Sequence, residues 1–138
     1  MTIFYNFNVS PISDKTIEFE WRDSSTNLPM DISNYVATLY VRPEKGSDTL
    51  IKTYSSLDSS IEMDYDNSLV SIRIKPYDLQ GYGPGNLWYE LFLVQMDTGY
   101  RISFANGFAT LLKYIAPQAD IPLQGYVAAS VKVTGILT

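Results

Sequence analysis

Residues 87–111 read LWYELFLVQMDTGYRISFANGFATL, which is two apolar runs joined by a short polar turn. The first run, Leu87 to Met96, is apolar on both faces and therefore predicts a central strand that is covered on both sides. Tyr100 to Lys113 is a second β-rich run. Between them, Asp97-Thr98-Gly99 is typical of a hairpin loop, with Gly99 suited to a left-handed backbone conformation.

The dipeptide Asn106-Gly107 permits two interpretations of the second run. Taken alone, it is a strong hairpin signal. A hairpin there would require Tyr100 to Ala105 to pair with Phe108 to Lys113 directly after the preceding turn. A continuous strand with a bulge at the glycine accommodates the same residues, and we favour the bulge.

Shorter segments upstream alternate apolar and polar residues with a period of two, as half-buried strands do. No window of three turns has the helical period, and turn-forming residues separate the runs every 8–12 residues, which is typical of an all-β sandwich. The sequence therefore predicts about seven or eight strands. The alternating sets are Ile17-Phe19-Trp21, Ala37-Leu39-Val41, Ile61-Met63-Tyr65 and Val70-Ile72-Ile74, with a weaker run over Ile3 to Val9.

The composition changes after Tyr114. Pro117 and Pro122 flank an extended stretch, and Gly125 to Thr138 is rich in small and β-branched residues with a single charge. We predict a sandwich domain over residues 1–114 and an extended C-terminal arm or extra edge strand over residues 115–138. This segment can return to the edge of its own sheet, or it can add a strand to a neighbouring subunit.

Composition excludes several classes of protein. The 138-residue chain has no Cys, which excludes disulfide frameworks and thiolate sites, and no His, which removes the commonest general base and metal ligand. Its net charge is −5, with 10 Lys and Arg against 15 Asp and Glu, and this argues against binding to a nucleic-acid backbone. With no signal-like N-terminus and no long apolar window, we expect a protein made in a cytosol, with neither a membrane nor a nucleic-acid partner.

Three short motifs suggest chemistry, but each has a simpler explanation as a turn or loop, so we expect no catalytic residue, no metal site and no cofactor. The aspartic-protease triplet Asp97-Thr98-Gly99 lacks a second apolar-Gly motif. The Gly-rich run Gly81-x-Gly83-x-Gly85 is followed by a strand, whereas a phosphate-binding loop needs a helix there. The acidic turn Asp64-x-Asp66-Asn67 lacks the downstream Glu of a calcium-binding loop.

Aromatic residues surround the Gly-rich loop. Tyr77, Tyr82 and Trp88 are close to it in sequence, and loop aromatics can stack on sugars or anchor a protein interface. The alternative is that Trp88 and Tyr89 belong to the core or to a strand face.

The order of these elements resembles that of a known module. From Phe19 the chain reads FEWRDSSTNLPMDISNYVATLYVRPEKGSDTLI, and it continues through SIRIKPYDLQGYGPGNLWYELFLVQMDTGYRISFANGFATL. Between about Thr16 and Leu112 this resembles a module of tailed-bacteriophage structural proteins, the N-terminal Ig-like domain of upper baseplate proteins. The matching residues are Trp21, Pro29, Met30, Asp31, Ile32, Ser33, Tyr35, Val41, Arg42, Pro43, Pro84, Gly85, Tyr89, Glu90, Leu91, Asp97, Gly99 and Gly107.

The resemblance implies an Ig-like antiparallel β-sandwich without a catalytic residue, and it places Gly107 inside the last strand. Because the sequence ends 24 residues after Tyr114, we expect a stand-alone version of the module. We therefore expect a bacteriophage virion structural protein: an assembly module of the tail, baseplate or neck, or a capsid decoration (cement) protein.

The expected partners are other virion proteins, including further copies of the chain in a trimer or hexamer. The alternative function is a receptor- or glycan-binding module of a phage adsorption apparatus. The candidate interface residues are Ile121, Leu123, Tyr126, Val127, Val131, Val133 and Ile136 in the C-terminal segment, with Tyr77, Tyr82 and Asn86 in the loop.

Overall fold

The computed structural model describes residues 2–11, 13–23, 25–79, 82, 85–112 and 129–137. They form strands and one short 3-10 helix (Pro76–Leu79), and no helix among them is long and apolar enough to cross a membrane. The strands are β1 (Ile3–Phe4), β2 (Phe7–Val9), β3 (Lys15–Asp23), β4 (Tyr35–Arg42), β5 (Lys52–Ser55), β6 (Ile61–Asp64), β7 (Leu69–Ile74), β8 (Gly85–Gln95), β9 (Arg101–Leu111) and β10 (Ala129–Leu137).

Two sheets pack face to face, which confirms the predicted all-β sandwich. The first sheet has the order β1-β9-β8-β4-β5, and β2 also pairs with β9; the second has the order β10-β3-β7-β6. The strands from β3 to β9 pair antiparallel with one another, whereas β1 and β2 run parallel to β9, and β10 runs parallel to β3. The parallel pairs lie at the two ends of the chain, where terminal strands add to sheet edges.

The core lies between the sheets because alternate residues of each strand point inward. Phe19 and Phe104 are fully buried and meet edge to face, with their ring centroids 6.0 Å apart. Leu91 in β8 and Leu39 in β4 contribute buried aliphatic side chains from directly opposite positions. The central position that the apolar run of β8 predicted is confirmed, since β8 lies between β9 and β4.

β9 is one continuous strand, so the hairpin interpretation of Asn106-Gly107 is wrong. The favoured bulge at Gly107 is also misplaced, because Gly107 pairs regularly with Tyr89. The register shift between β9 and β8 lies three residues before Gly107, where Phe104 has no residue opposite it on β8. The extra residue turns both Phe104 and Ala105 into the core, where the Phe104 ring packs on aromatic side chains of β3.

Candidate functional site

The C-terminal strand β10 lies on the edge of its own chain's second sheet. It pairs with β3 over nine residues, from Ala129 opposite Lys15 to Leu137 opposite Asp23. Val133 lies opposite Phe19 and packs against the core. Of the other predicted interface residues, Val131 and Ile136 lie in β10, whereas Ile121, Leu123, Tyr126 and Val127 lie outside the described residues.

The outer edge of β10 pairs with no described residue. The other three sheet edges are short: β5 and β6 have four residues each, and the N-terminal edge is divided into β1 and β2. The short edge strands also carry charged side chains, namely Glu62 and Asp64 on β6 and Lys52 on β5. Short and charged edges are protected against further pairing, so β10 offers the longest row of backbone donors and acceptors.

The loop residues Tyr77, Tyr82 and Asn86 are all on the surface. Tyr77, in the 3-10 helix, is 79% exposed, and Tyr82 is 51% exposed. Asn86 is the second residue of β8 and accepts a hydrogen bond from the Thr110 hydroxyl on β9, with 2.7 Å between the oxygens. No ring contact between the two tyrosines is present among the described residues, so they present two separate aromatic faces.

Trp88 and Tyr89 have structural positions, as the alternative interpretation predicted. Trp88 lies on the outer side of the first sheet but is only 4% exposed, because neighbouring side chains cover it. Tyr89 is buried in the core, and its hydroxyl donates to the backbone oxygen of Tyr5 at 2.5 Å. Burial, with a smaller contribution from Tyr5, raises the pKa of the Tyr89 hydroxyl well above its ordinary value.

The motif Asp97-Thr98-Gly99 forms the predicted hairpin turn. The Gly99 N–H donates to the Gln95 carbonyl at 2.8 Å, and its φ of 72° explains the glycine. The Asp97 carboxylate accepts a hydrogen bond from the Asn34 side chain at 3.1 Å. These contacts make the triplet part of the connection between β8 and β9.

The acidic turn after β6 is held by its own hydrogen bonds. The Asp64 carboxylate accepts from the N–H groups of Asp66 and Asn67, and from the Asn67 side-chain amide at 2.8 Å. These bonds lower the pKa of the Asp64 carboxyl, the Asn67 side chain contributing most. Within the described part of the chain, no three Asp or Glu residues are close enough together to hold a metal ion.

The outer side of the first sheet carries a surface that sequence analysis missed. We call it the basic face; on it, cations lie over aromatic rings. Lys45 Nζ lies 5.2 Å from the Trp88 ring centroid, and the Arg101 guanidinium carbon lies 5.0 Å from that of Phe92. The face consists of Phe4, Tyr40, Trp88, Phe92 and Phe108 with Arg42, Lys45 and Arg101.

A polar row crosses the middle of the basic face. Arg42 lies over the Tyr40 ring at 5.8 Å, and its Nε donates to the Glu90 carboxylate at 3.0 Å. Glu90 is the only acid in β4, β8 and β9. Trp88 and Phe92 are four residues apart in one strand and therefore lie on the same side of it, but the register that brings cations from a loop and from β9 onto their rings is not visible in the sequence.

A second charged surface, the acidic edge, consists of β6 and the turns on either side of it. It carries Asp58, Glu62, Asp64 and Asp66, and residues 53–72 contain no Lys or Arg. Its exposed apolar groups are Leu57, 80% exposed, and Tyr65, 50% exposed.

A polar groove of about 660 Å³ runs beside this edge. Its charges balance, with Lys52, Arg73 and Lys75 against Glu18, Glu62 and Asp78. Arg73 is already bound to Asp14 through its Nε at 2.9 Å, and Tyr54 donates to Asp78 at 3.0 Å. Burial, and then the Asp78 charge, raises the pKa of the Tyr54 hydroxyl.

Comparisons with models of known protein families and with curated proteins find no match to this chain. The surfaces of the chain that are suited to binding are the edge of β10, the basic face, the acidic edge and the exposed tyrosines of the loop.

Proposed function

We propose that the protein is a structural assembly module of a bacteriophage virion, without a catalytic role, that joins its neighbours through the edge of β10. The observation that supports this is the nine-residue edge of β10, whose outer side pairs with no described residue. The bacteriophage assignment derives from the resemblance of the strand and turn order to upper baseplate domains.

The physical basis is strand addition. The outer N–H and C=O groups of β10 can pair with a strand of a neighbouring subunit, so that a sheet continues across the contact. The sequence of β10, ASVKVTGIL, favours this because it is β-branched, has one charge and contains no Pro. In a tail, baseplate, neck or capsid decoration, such contacts would join the chain to other virion proteins or to further copies in a trimer or hexamer.

The test blocks the outer edge while keeping the strand on its own sheet. Successive N–H groups of a strand point to opposite edges, so one of the two variants Val131→Pro and Lys132→Pro removes an outward donor and the other removes a donor to β3. The melting temperature identifies them, because the variant that loses a bond to β3 is the less stable one.

Light scattering after size exclusion then measures the mass of each variant beside the wild type. At about 0.5 M salt, where contacts between charged surfaces are screened, we expect the wild type to be an oligomer and the variant of wild-type stability to fall to one subunit. If that variant keeps the wild-type oligomeric mass, the edge of β10 is not the contact. A chain shortened after Ala116 serves as a second comparison, with circular dichroism to show that it is folded.

A second candidate function is glycan or receptor binding through the loop. It is favoured by the exposure of Tyr77 and Tyr82, two rings available for stacking on sugars. A glycan array with wild type and Tyr82→Ala tests it, and Tyr65→Ala is the matched control because Tyr65 is equally exposed but lies elsewhere. Binding that is lost only in Tyr82→Ala would support this function over assembly.

A further inference from the structure

We propose that the basic face of one copy binds the acidic edge of a second copy, so that copies of this chain join head to tail. The proposal deepens the assembly role and rests on it for the identity of the partner, but it uses surfaces that are separate from β10.

The basic face is a prearranged cationic surface. Lys45 and Arg101 are exposed, yet each is held over a ring that is itself packed into the sheet. A side chain held in this way loses less conformational freedom when it binds a carboxylate than a free one does. The rings under these cations, Trp88 and Phe92, are four residues apart on β8, which separates them by about 13 Å.

Charge identifies the partner. The basic face has Arg42, Lys45 and Arg101 against the single acid Glu90, whereas the rest of the chain has 7 Lys and Arg against 14 Asp and Glu. A second copy is therefore an acidic partner for this face. Within that copy the acidic edge is the most suitable segment, because it has four acids and no cation between residues 53 and 72.

The acids of this edge are available for contact. Glu62 and Asp66 are exposed, and neither carboxylate accepts a hydrogen bond from a described residue. Asp58 and Asp64 are oriented by their turns, and hydrogen bonds, chiefly from the side chains of Ser60 and Asn67, lower the pKa of their carboxyls, so both stay ionised. The one cation of the neighbouring strand β7, Arg73, is bound to Asp14, and Lys52 of β5 is the cation whose charge acts on Asp58.

Apolar groups match as well. Phe4, 60% exposed, lies at the side of the basic face with its ring 6.4 Å from that of Trp88. The acidic edge presents Leu57 and Tyr65 among its carboxylates. β6, with four residues, spans about 10 Å from its first Cα to its last, a little less than the roughly 13 Å between the two rings that carry the cations.

The contact is heterologous, because it joins two different surfaces of the same chain. The basic face belongs to the first sheet and the acidic edge to the second, so each copy has both surfaces free for further copies. Such contacts build rings when the rotation between copies closes, and filaments when it does not.

Two charge-reversal variants test the proposal. Lys45→Glu/Arg101→Glu makes the basic face acidic, and Glu62→Lys/Asp66→Lys makes the acidic edge basic. All four residues are exposed, so both variants are expected to fold. Sedimentation velocity gives the mass of each alone, of their equimolar mixture, and of the chain carrying all four changes. Two single variants control for overall charge, because both change the net charge by the same amount: Arg101→Glu is on the basic face, whereas Lys15→Glu is outside both surfaces.

Each double variant alone should self-associate at least about a hundredfold more weakly than wild type, because like charges then meet. The mixture and the fourfold variant should recover the wild-type mass, since opposite charges face each other again in both. Raising the salt from about 0.05 M to about 0.5 M should dissociate the wild-type contact.

Any of three results overturns the proposal: a monomeric wild type at low salt, double variants that keep the wild-type mass, or a mixture and a fourfold variant that both remain dissociated. Failure of the β10 contact is seen separately, because the proline variants of β10 leave these charges unchanged. If the proline variants remain oligomeric and the charge-reversal variants do not, the result supports this contact and excludes the β10 edge as a contact between copies.

Discussion

Gly107→Ala should detach the N-terminal segment from the sheet. A Cβ atom at Gly107 would collide with the backbone carbonyl of Tyr5, whose carbon would lie 2.8 Å away, and with Asn6 Oδ1 at 2.9 Å. Backbone cannot rotate away as the end of a flexible side chain can. The connection between β1 and β2 must therefore move when the methyl group is added.

The loss of stability follows from the contacts at this connection. Tyr5 N–H donates to the Asn106 carbonyl at 2.9 Å, Phe108 N–H donates to Asn6 Oδ1 at 2.8 Å, and the Tyr89 hydroxyl donates to the Tyr5 carbonyl at 2.5 Å. At about 1 kcal/mol for each bond, losing all three lowers the free energy of unfolding by about 3 kcal/mol. A chain of this size then melts roughly 10 °C lower.

Urea denaturation followed by the fluorescence of the two tryptophans measures this loss. Gly99→Ala is the matched control, because its φ is also positive, at 72°, but no atom lies within 4 Å of the new methyl group. It should lose only about 1 kcal/mol, from the backbone conformation. Hydrogen exchange should speed up in β1 and β2 of Gly107→Ala alone. Equal losses in the two variants, or unchanged exchange, would refute the reasoning.

Three other changes have outcomes that the same assay measures. Phe104→Ala should lower the free energy of unfolding by about 3–5 kcal/mol, because it leaves a cavity against Phe19; a loss below about 1 kcal/mol would contradict this. Tyr89→Phe should cost about 1 kcal/mol by leaving the Tyr5 carbonyl without its donor, and a neutral result would speak against that bond. The pKa of the Asp64 carboxyl is lowered in the folded chain, so its contribution to stability is present above its ordinary pKa of 3.8 and is lost as the pH falls through the folded pKa. Asp64→Ala should therefore lose less stability on acidification than wild type. The same loss of stability at low pH in both proteins would argue against this contribution.

The sequence could predict those parts of the fold in which buried and exposed positions alternate regularly along a strand. In β3, Ile17, Phe19 and Trp21 alternate with charged residues, and all three are buried. The turn at Asp97 to Gly99 could be recognised because its geometry depends on residues inside the turn. Such patterns are local, so a single sequence displays them.

The remaining features depend on partners distant in sequence. The bulge at Phe104 is set by the packing of β9 on β8 and β3, and Gly107 is required by Tyr5, about a hundred residues earlier. The sequence does not predict β5, because Lys52 to Ser55 has too few alternating apolar residues to show the pattern. The parallel pairing of β10 with β3 could not be predicted either, because alternation along a segment does not indicate which strand the segment pairs with.

The two proposed contacts are geometrically compatible because they use opposite sides of the sandwich. β5 and β6 are the last strands of their sheets and are linked by one short turn, so the acidic edge lies on their side. β10 ends the second sheet at the other side. Backbone pairing at β10 involves no charge and resists salt, whereas docking on the basic face weakens as salt screens it. A module with both contacts can thus form a strand-linked unit first, and add further units through charge.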